Sequence, residues 1–231
     1  MIRFENVTKQ YPTGNTALED ITFSIDRGEF VFLVGPSGSG KTTLFRLLIR
    51  DAVPSSGSIF IGDWDLVNLP QKKIHVLRKN IGMVFQDLKL LRDRTIYENI
   101  MFPLEVGNID SQEARDRVEE IIERVGIADH RDKFPVQLSG GELQRAAIAR
   151  ALAFSPEIIL ADEPTGNLDN ATSWEIIKLL QDINASGTTI LMATHNADIV
   201  NSLRNRTLIL EKGKLTKDQA SKHKKEHEHK D

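Results

Sequence analysis

The sequence predicts an α/β fold with a mostly parallel core sheet, an antiparallel β part at the N-terminal end and a helical subdomain in the middle. Three observations carry this expectation. Ile21, Phe23 and Ile25 alternate with polar residues, the period of a half-buried antiparallel strand. Phe30–Val34 is continuously apolar, the pattern of a strand covered on both faces. From Leu138 onward, the short apolar runs Ile158–Ala161 and Thr189–Met192 each follow a helical segment, and strands alternating with helices build a parallel sheet.

The middle stretch, roughly Leu88–Val136, reads as helical. Val118, Ile121, Ile122 and Val125 recur at the spacing of one helix face. Asp110 and Glu113 predict a capping box at the start of that helix, and Gly126 predicts its end. The chain from Thr216 to Asp231 is mostly Lys, His, Glu and Asp without apolar periodicity, which predicts a disordered tail. Its His223, His227 and His229 would suit a metal or an acidic lipid, but mixed charge without fixed spacing favours a plain solvated tail. There is no internal repeat. The expected organisation is one domain over 1–215, with its helical subdomain at about 88–155, and a charged tail at 216–231.

Composition narrows the function. The chain has 231 residues, 40% of them apolar, and a net charge of -3, which does not suit a bulk nucleic-acid binder. It has no cysteine, so disulfides, zinc knuckles and thiol catalysis are excluded, in keeping with a reducing compartment. No apolar run approaches the ~18–20 residues of a membrane helix, and the segment MIRFENVTKQ lacks the apolar core of a signal peptide. The expectation is a cytoplasmic protein that reaches a membrane only through a partner.

Two motifs carry chemistry. Gly35, Pro36, Ser37, Gly38, Ser39, Gly40, Lys41 and Thr42 fit G-x-x-x-x-G-K-[ST], between an apolar strand and the helix Thr42–Ile49. Glycines let several N–H groups turn toward phosphate oxygens, and the helix N-terminus adds partial positive charge. Lys41 would set a full charge against the β- and γ-phosphates, and Thr42 would offer its hydroxyl to Mg²⁺. A glycine-rich turn with an incidental lysine is the competing reading, and eight positions in the right context argue against it. The motif alone predicts a nucleotide phosphate binder and leaves open which chemistry follows. Ile158–Pro164 is an apolar strand ending in two acids. Asp162 is placed to hold Mg²⁺, and Glu163 to accept a proton from the water attacking the γ-phosphate, a role contributing ~10²–10⁴-fold. Two acids in a strand-end turn are common by themselves; a phosphate loop in the same chain calls for such an Asp.

Further residues carry a family resemblance. Leu138–Gln144, LSGGELQ, resembles the signature of ABC ATPases and precedes the acid pair in that family's order. Gln86 resembles the Q-loop glutamine, Gly166–Asp169 the D-loop and His195 the switch histidine; Tyr11 stands where the family has an aromatic on adenine. The resemblance spans about Met1–Leu215. It implies the ABC nucleotide-binding-domain fold, ATP hydrolysis with Mg²⁺ at Thr42, Gln86 and Asp162, and catalytic roles for Glu163, His195, Gln86 and Lys41. It also implies that Thr43 and Asp169 line the nucleotide. Ser139, Gly140, Gly141 and Glu142 would complete a site whose phosphate loop belongs to a second copy, giving a head-to-tail homodimer in the ATP-bound state. Ser139 and Glu142 also read as a capping box, and the two readings agree because a capped helix N-terminus is an anion site. Stacking by Tyr11 would contribute roughly 1–3 kcal/mol. His75 and His130 match no motif and read as ordinary surface residues.

Three stretches, Phe85–Ile100, Ala161–Ile176 and Ala193–Leu215, are similar to the cell-division branch of that family. This implies an FtsX-like polytopic membrane protein as partner and, indirectly, cell-wall hydrolases. Gln86 and Asp87–Arg94 would carry the coupling. Leu88, Leu90 and Leu91 would pack on a cytoplasmic helix of the partner, or else form local core. The string ADEPTGNLD is shared with lipoprotein-release and macrolide-efflux ATPases, which is the alternative reading. A nucleotide-gated scaffold with little turnover is a second alternative, and its mark would be the loss of Glu163 or His195, both of which are present.

Overall fold

In the computed structural model, which describes residues 1–221, the chain forms two units, residues 1–78 with 189 onward and residues 79–188. In the first, β1 (Ile2–Gln10) pairs antiparallel with β2 (Thr16–Ile25), with Ile2 opposite Ile25 and Phe4 opposite Phe23. The Phe4 and Phe23 rings stack at 4.7 Å. Ile21, Phe23 and Ile25 are buried, as the alternation predicts. β3 (Phe30–Val34) is covered on both faces and leads through the phosphate loop into α1 (Lys41–Leu48), one residue earlier than expected. β4 (Ser56–Ile61) pairs with the other edge of β1, β5 (Trp64–Asp65) pairs with β4, and α2 (Ile74–Lys79) follows.

In the second unit, β6 (Ile81–Val84) opens a chain of helices: α3 (Ile96–Val106), α4 (Ser111–Val125) and α5 (Gly140–Leu152), which pack on one another. All three lie within 88–155. Val118, Ile121, Ile122 and Val125 are buried, and Gly126 ends α4 at φ 71°. The expected capping box at α4 is only half made. Asp110 accepts from the N–H groups of Gln112 and Glu113, but the Glu113 carboxylate turns along the helix to Arg117, 2.9 Å away. An i,i+4 ion pair competes there for the same carboxylate. The full box stands instead at α3, between Thr95 and Glu98. β7 (Ile158–Asp162) then pairs parallel with β6, and α6 (Asn170–Ala185) closes the unit.

The chain returns to the first unit with β8 (Thr189–Thr194), parallel to β3 from Phe30↔Ile190 to Val34↔Thr194. After α7 (Ala197–Leu203), β9 (Arg206–Glu211) pairs parallel with the other edge of β3. One expectation is corrected here. Thr216–Gln219 are not disordered: they belong to β10 (Lys214–Gln219), antiparallel to β9. Main-chain pairing needs no apolar side chains, and charged residues suit an exposed sheet edge. Arg206 on β9 fastens the strand by donating to both Asp218 oxygens, at 2.8 and 2.6 Å, and also reaches Glu29 at 3.1 Å. These carboxylates, Asp218 first, raise the Arg206 pKa further. His223, His227 and His229 lie outside the described residues. Among the described residues, no helix is long and apolar enough to cross a membrane.

Candidate functional site

The first unit holds the phosphate loop at the C-terminal end of β3. Lys41 is buried, and its Nζ donates to the carbonyls of Gly35 at 2.7 Å and Pro36 at 3.2 Å. Its charge is therefore held against the carbonyls of the glycine-rich loop. A side chain at Gly35 would place its Cβ 2.1 Å from the Leu210 carbonyl oxygen, so only glycine fits. Gly40 caps α1 at φ 111° and brings no side chain to that end, leaving room for an anion. Ser39 Oγ is buried without a hydrogen-bond partner, a polar atom that a ligand or water would satisfy.

Tyr11 stands beside the first turn of α1. Its hydroxyl is 3.5 Å from Thr43 Oγ1 and from Arg46 Nη1, and the Lys9 ammonium lies 5.0 Å from its ring centroid. The parallel register Val34↔Thr194 brings His195 out at the same sheet end as Gly35. His195 is exposed, and the next residue, Asn196, caps α7 through the N–H groups of Asp198 and Ile199.

The second unit holds the remaining candidate residues. Val84 lies opposite Ala161, so Gln86 and the acid pair Asp162–Glu163 leave at one end of the β6–β7 pair. Ligands of parallel sheets sit outside such carboxyl ends. Asp162 is buried at the strand end, whereas Glu163 is half-exposed and left-handed at φ 49°. That conformation costs a non-glycine residue about 1–3 kcal/mol, and such strain collects at functional positions. Gln86 sits in a turn closed by the Leu88 N–H on the Phe85 carbonyl at 3.0 Å.

The LSGG segment is capped as expected. Glu142 accepts from the Ser139 N–H at 2.7 Å and its hydroxyl at 2.8 Å. These two bonds, the backbone one first, hold the Glu142 carboxyl below its ordinary range. A Cβ on Gly141 would meet Thr172 Cγ2 at 2.5 Å, and one on Gly140 would meet Leu168 Cδ2 at 3.1 Å. The signature thus lies directly on the GNLD loop. There Asp169 caps α6, accepting from the Thr172 N–H at 2.9 Å and hydroxyl at 2.6 Å, and the hydroxyl leads in lowering its pKa.

His130 is not the ordinary surface residue that the sequence suggests. Its Nε2 lies 2.9 Å from Glu142 Oε1, bracing the signature from outside the motif. Two more residues escape motif reading. Asn99 is fully buried and ties the Leu91–Thr95 segment, accepting from the Leu91 N–H at 2.7 Å and lying 2.8 Å from the Thr95 carbonyl oxygen. Arg150 reaches the Leu88 and Lys89 carbonyls. Only the capping-box spacing at Thr95 could have drawn attention to Asn99's helix; nothing in the sequence pairs His130 or Arg150 with their partners.

A lysine locked into a glycine-rich loop, with a capped LSGG helix on the second unit, defines a nucleotide-binding cassette, and the chain belongs to the ABC transporter family, whose model matches residues 18–166. It is an ATPase of the ATP-binding cassette type. Among curated proteins it is 46% identical over 220 residues to the cell division ATP-binding protein FtsE of Streptococcus pneumoniae, covering 95% of this chain and 96% of that one. It is 45% identical over 215 residues to the protein of the same name from Escherichia coli K12, covering 93% and 97%. Among solved structures it is similar to the cassette MJ0796, described as a dimer in a post-hydrolysis state bound to ADP and Pi, with TM-score 0.86, 35% identity and coverage of 96% and 99%. It is also similar to cbiO1 of Clostridium perfringens, part of a cbiONQ transporter complex, with TM-score 0.88, 33% identity and coverage of 98% and 91%.

Proposed function

We propose that this chain is the ATP-hydrolysing subunit of a cell-division assembly, closing head to tail as a homodimer around ATP and driving an FtsX-like polytopic membrane protein that regulates cell-wall hydrolases. The observation that carries the reading is its 45–47% identity, over nearly its whole length, to cell-division proteins called FtsE. In this reading it works in the cytoplasm, on the inner face of the membrane, through its partner. The part-exposed Leu88, Leu90 and Leu91, set among Lys89, Arg92 and Arg94, offer that partner a surface.

The chemistry follows from the residues of each unit. Gly35–Thr43 bind the phosphates, and Lys41 exchanges its bonds to the Gly35 and Pro36 carbonyls for phosphate oxygens. Tyr11 stacks on the adenine. Thr42, Gln86 and Asp162 offer hydroxyl, amide and carboxylate oxygens, the hard donors that suit Mg²⁺. Magnesium, when bound, neutralises charge on the β- and γ-phosphates. Water attacks the γ-phosphorus, its proton passes to Glu163, and the bond to the ADP oxygen breaks. His195 holds the γ-phosphate through its imidazole. Ser139, Gly140 and Gly141 bring the N-terminus of α5 to the γ-phosphate held by the other copy, with Glu142 bracing that turn and Asp169 positioning the loop beside it.

Ser139→Arg tests the shared site. A monomer is expected to bind ATP as the wild type does, because the phosphate loop is untouched, while hydrolysis is abolished because the bulky cation blocks closure. Full activity would mean that each chain works alone. The partner is tested by adding ATP to native membranes that contain tagged Glu163→Gln protein and identifying what co-purifies. A short polytopic protein with one large external loop is the expected result. Recovery of a larger lipoprotein-release or efflux permease would move the protein to transport, and recovery of no membrane protein would overturn the coupling itself.

A further inference from the structure

Arg150 stands near the C-terminal end of α5, the helix that begins at the signature. Its guanidinium donates through Nη1 to the Lys89 carbonyl and through Nη2 to the Leu88 carbonyl. Leu88 and Lys89 are consecutive left-handed residues, at φ 58° and 53°. One side-chain-bearing residue in that region is uncommon, and two in succession persist only where something holds them. The turn they form begins two residues after Gln86 and is closed against Phe85 by the Leu88 N–H.

The strand that leads into this turn meets the same helix. Gly82 on β6 lies so close to α5 that a Cβ there would sit 2.5 Å from the Ala151 carbonyl oxygen. Backbone contact at Ala151 and the guanidinium of Arg150 thus tie the strand and loop that carry Gln86 to the end of the signature helix. Asn99 fastens the far end of the loop, at Leu91–Thr95. Among the described residues, no carboxylate pairs with Arg150, and burial lowers its pKa. A part-buried cation without a counter-ion carries a cost, and two carbonyl dipoles offset it here.

A purely structural reading would have Arg150 satisfy two carbonyls that water could otherwise reach. That job does not need a strained pair of left-handed residues. We propose that Arg150 is a positioning residue for hydrolysis: it holds Leu88 and Lys89 left-handed, and so fixes where Gln86 stands relative to the signature helix. The inference rests on the assignment of Gln86 to hydrolysis, and is independent of which membrane protein is the partner.

The test uses the full chain, comparing ATP binding, ATP hydrolysis and amide exchange in the wild type, Arg150→Ala, Arg150→Lys and Gln86→Ala. In Arg150→Ala, kcat is expected to fall about tenfold or more, as for loss of hydrogen bonds from a charged group, while the Kd for ATP stays within about twofold because the phosphate loop is untouched. Arg150→Lys falls between, since an ammonium is a point charge and does not reproduce the fork. Amides of Leu88 and Lys89 exchange faster in Arg150→Ala. The decisive readout is rescue. Adding Leu88→Gly and Lys89→Gly to Arg150→Ala should recover most of the lost kcat, because glycine holds the left-handed turn without the latch. A merely structural role would not respond in this way. Loss of binding in parallel with hydrolysis, or no recovery with the glycines, overturns the proposal. If Arg150→Ala does not fold, Arg150→Lys with and without the glycine pair decides by the same criterion. Normal hydrolysis by Gln86→Ala beside a defective Arg150→Ala would overturn the assignment of Gln86, and with it the proposal as stated, while leaving the latch itself in place.

Discussion

Glu163→Gln is expected to bind ATP normally, to lose hydrolysis by about 10²–10⁴-fold, and to accumulate as a dimer in ATP. The amide is nearly isosteric with the carboxylate and keeps the side chain in place, so the strained φ of 49° at this position is not disturbed. What it loses is the capacity to accept a proton from the attacking water. Lys41 and the glycine loop are unaffected, so the nucleotide is bound but not consumed, and the closed form has no exit. Light scattering in ATP and in ADP reads this directly: twice the monomer mass in ATP and the monomer in ADP. A variant that stays monomeric in ATP would count against the role given to Glu163, and one that still hydrolyses at the wild-type rate would remove it.

Lys41→Ala is expected to have the second large effect, on binding rather than turnover. The ammonium is buried and donates to the Gly35 and Pro36 carbonyls of the loop proposed to accept phosphate. Its removal takes away a charge-assisted contact with the β- and γ-phosphates, about 1.5–3 kcal/mol, or roughly ten- to a hundredfold in the Kd for ATP. Calorimetric titration with ATP is the measurement, and unchanged affinity would sink the phosphate-loop assignment. A melting curve without nucleotide separates this from damage to the loop. The Gly35 carbonyl loses its lysine donor in the variant, so a small drop in the midpoint is expected, whereas a collapse would mean that Lys41 mainly holds the fold.

Much of the candidate site was legible because its chemistry demands contiguous residues. A phosphate cradle needs glycines, a lysine and a hydroxyl within one turn, and the string Gly35–Thr42 contains them. A capped anion-binding helix needs a serine and a glutamate three positions apart, and the structure places both at the start of α5. The burial of Ile21, Phe23 and Ile25, and of Val118 through Val125, followed from periodicity. The misses have a common cause. His130 lies twelve positions before Glu142, and Arg150 lies 61 after Lys89, so neither pairing leaves a local trace. At α4 two local rules competed for one carboxylate, and the ion pair with Arg117 won over the box. At β10 the charged segment was read by its side chains, whereas the strand is held by its main chain and by Arg206.

Apolar period and motif spacing are properties of neighbours along the chain, so the linear order already sets the class of the protein and marks the Gly35–Thr42 loop, the Asp162–Glu163 pair and the LSGG segment as candidates. Only the tertiary structure decided what holds those motifs in place. His130 bracing Glu142, Gly141 set against Thr172 and Arg150 gripping a left-handed turn all depend on segments remote in sequence being packed together. Such contacts are selected by the shape of the folded interior, and a linear pattern carries no record of which distant residues that shape will bring within hydrogen-bonding reach.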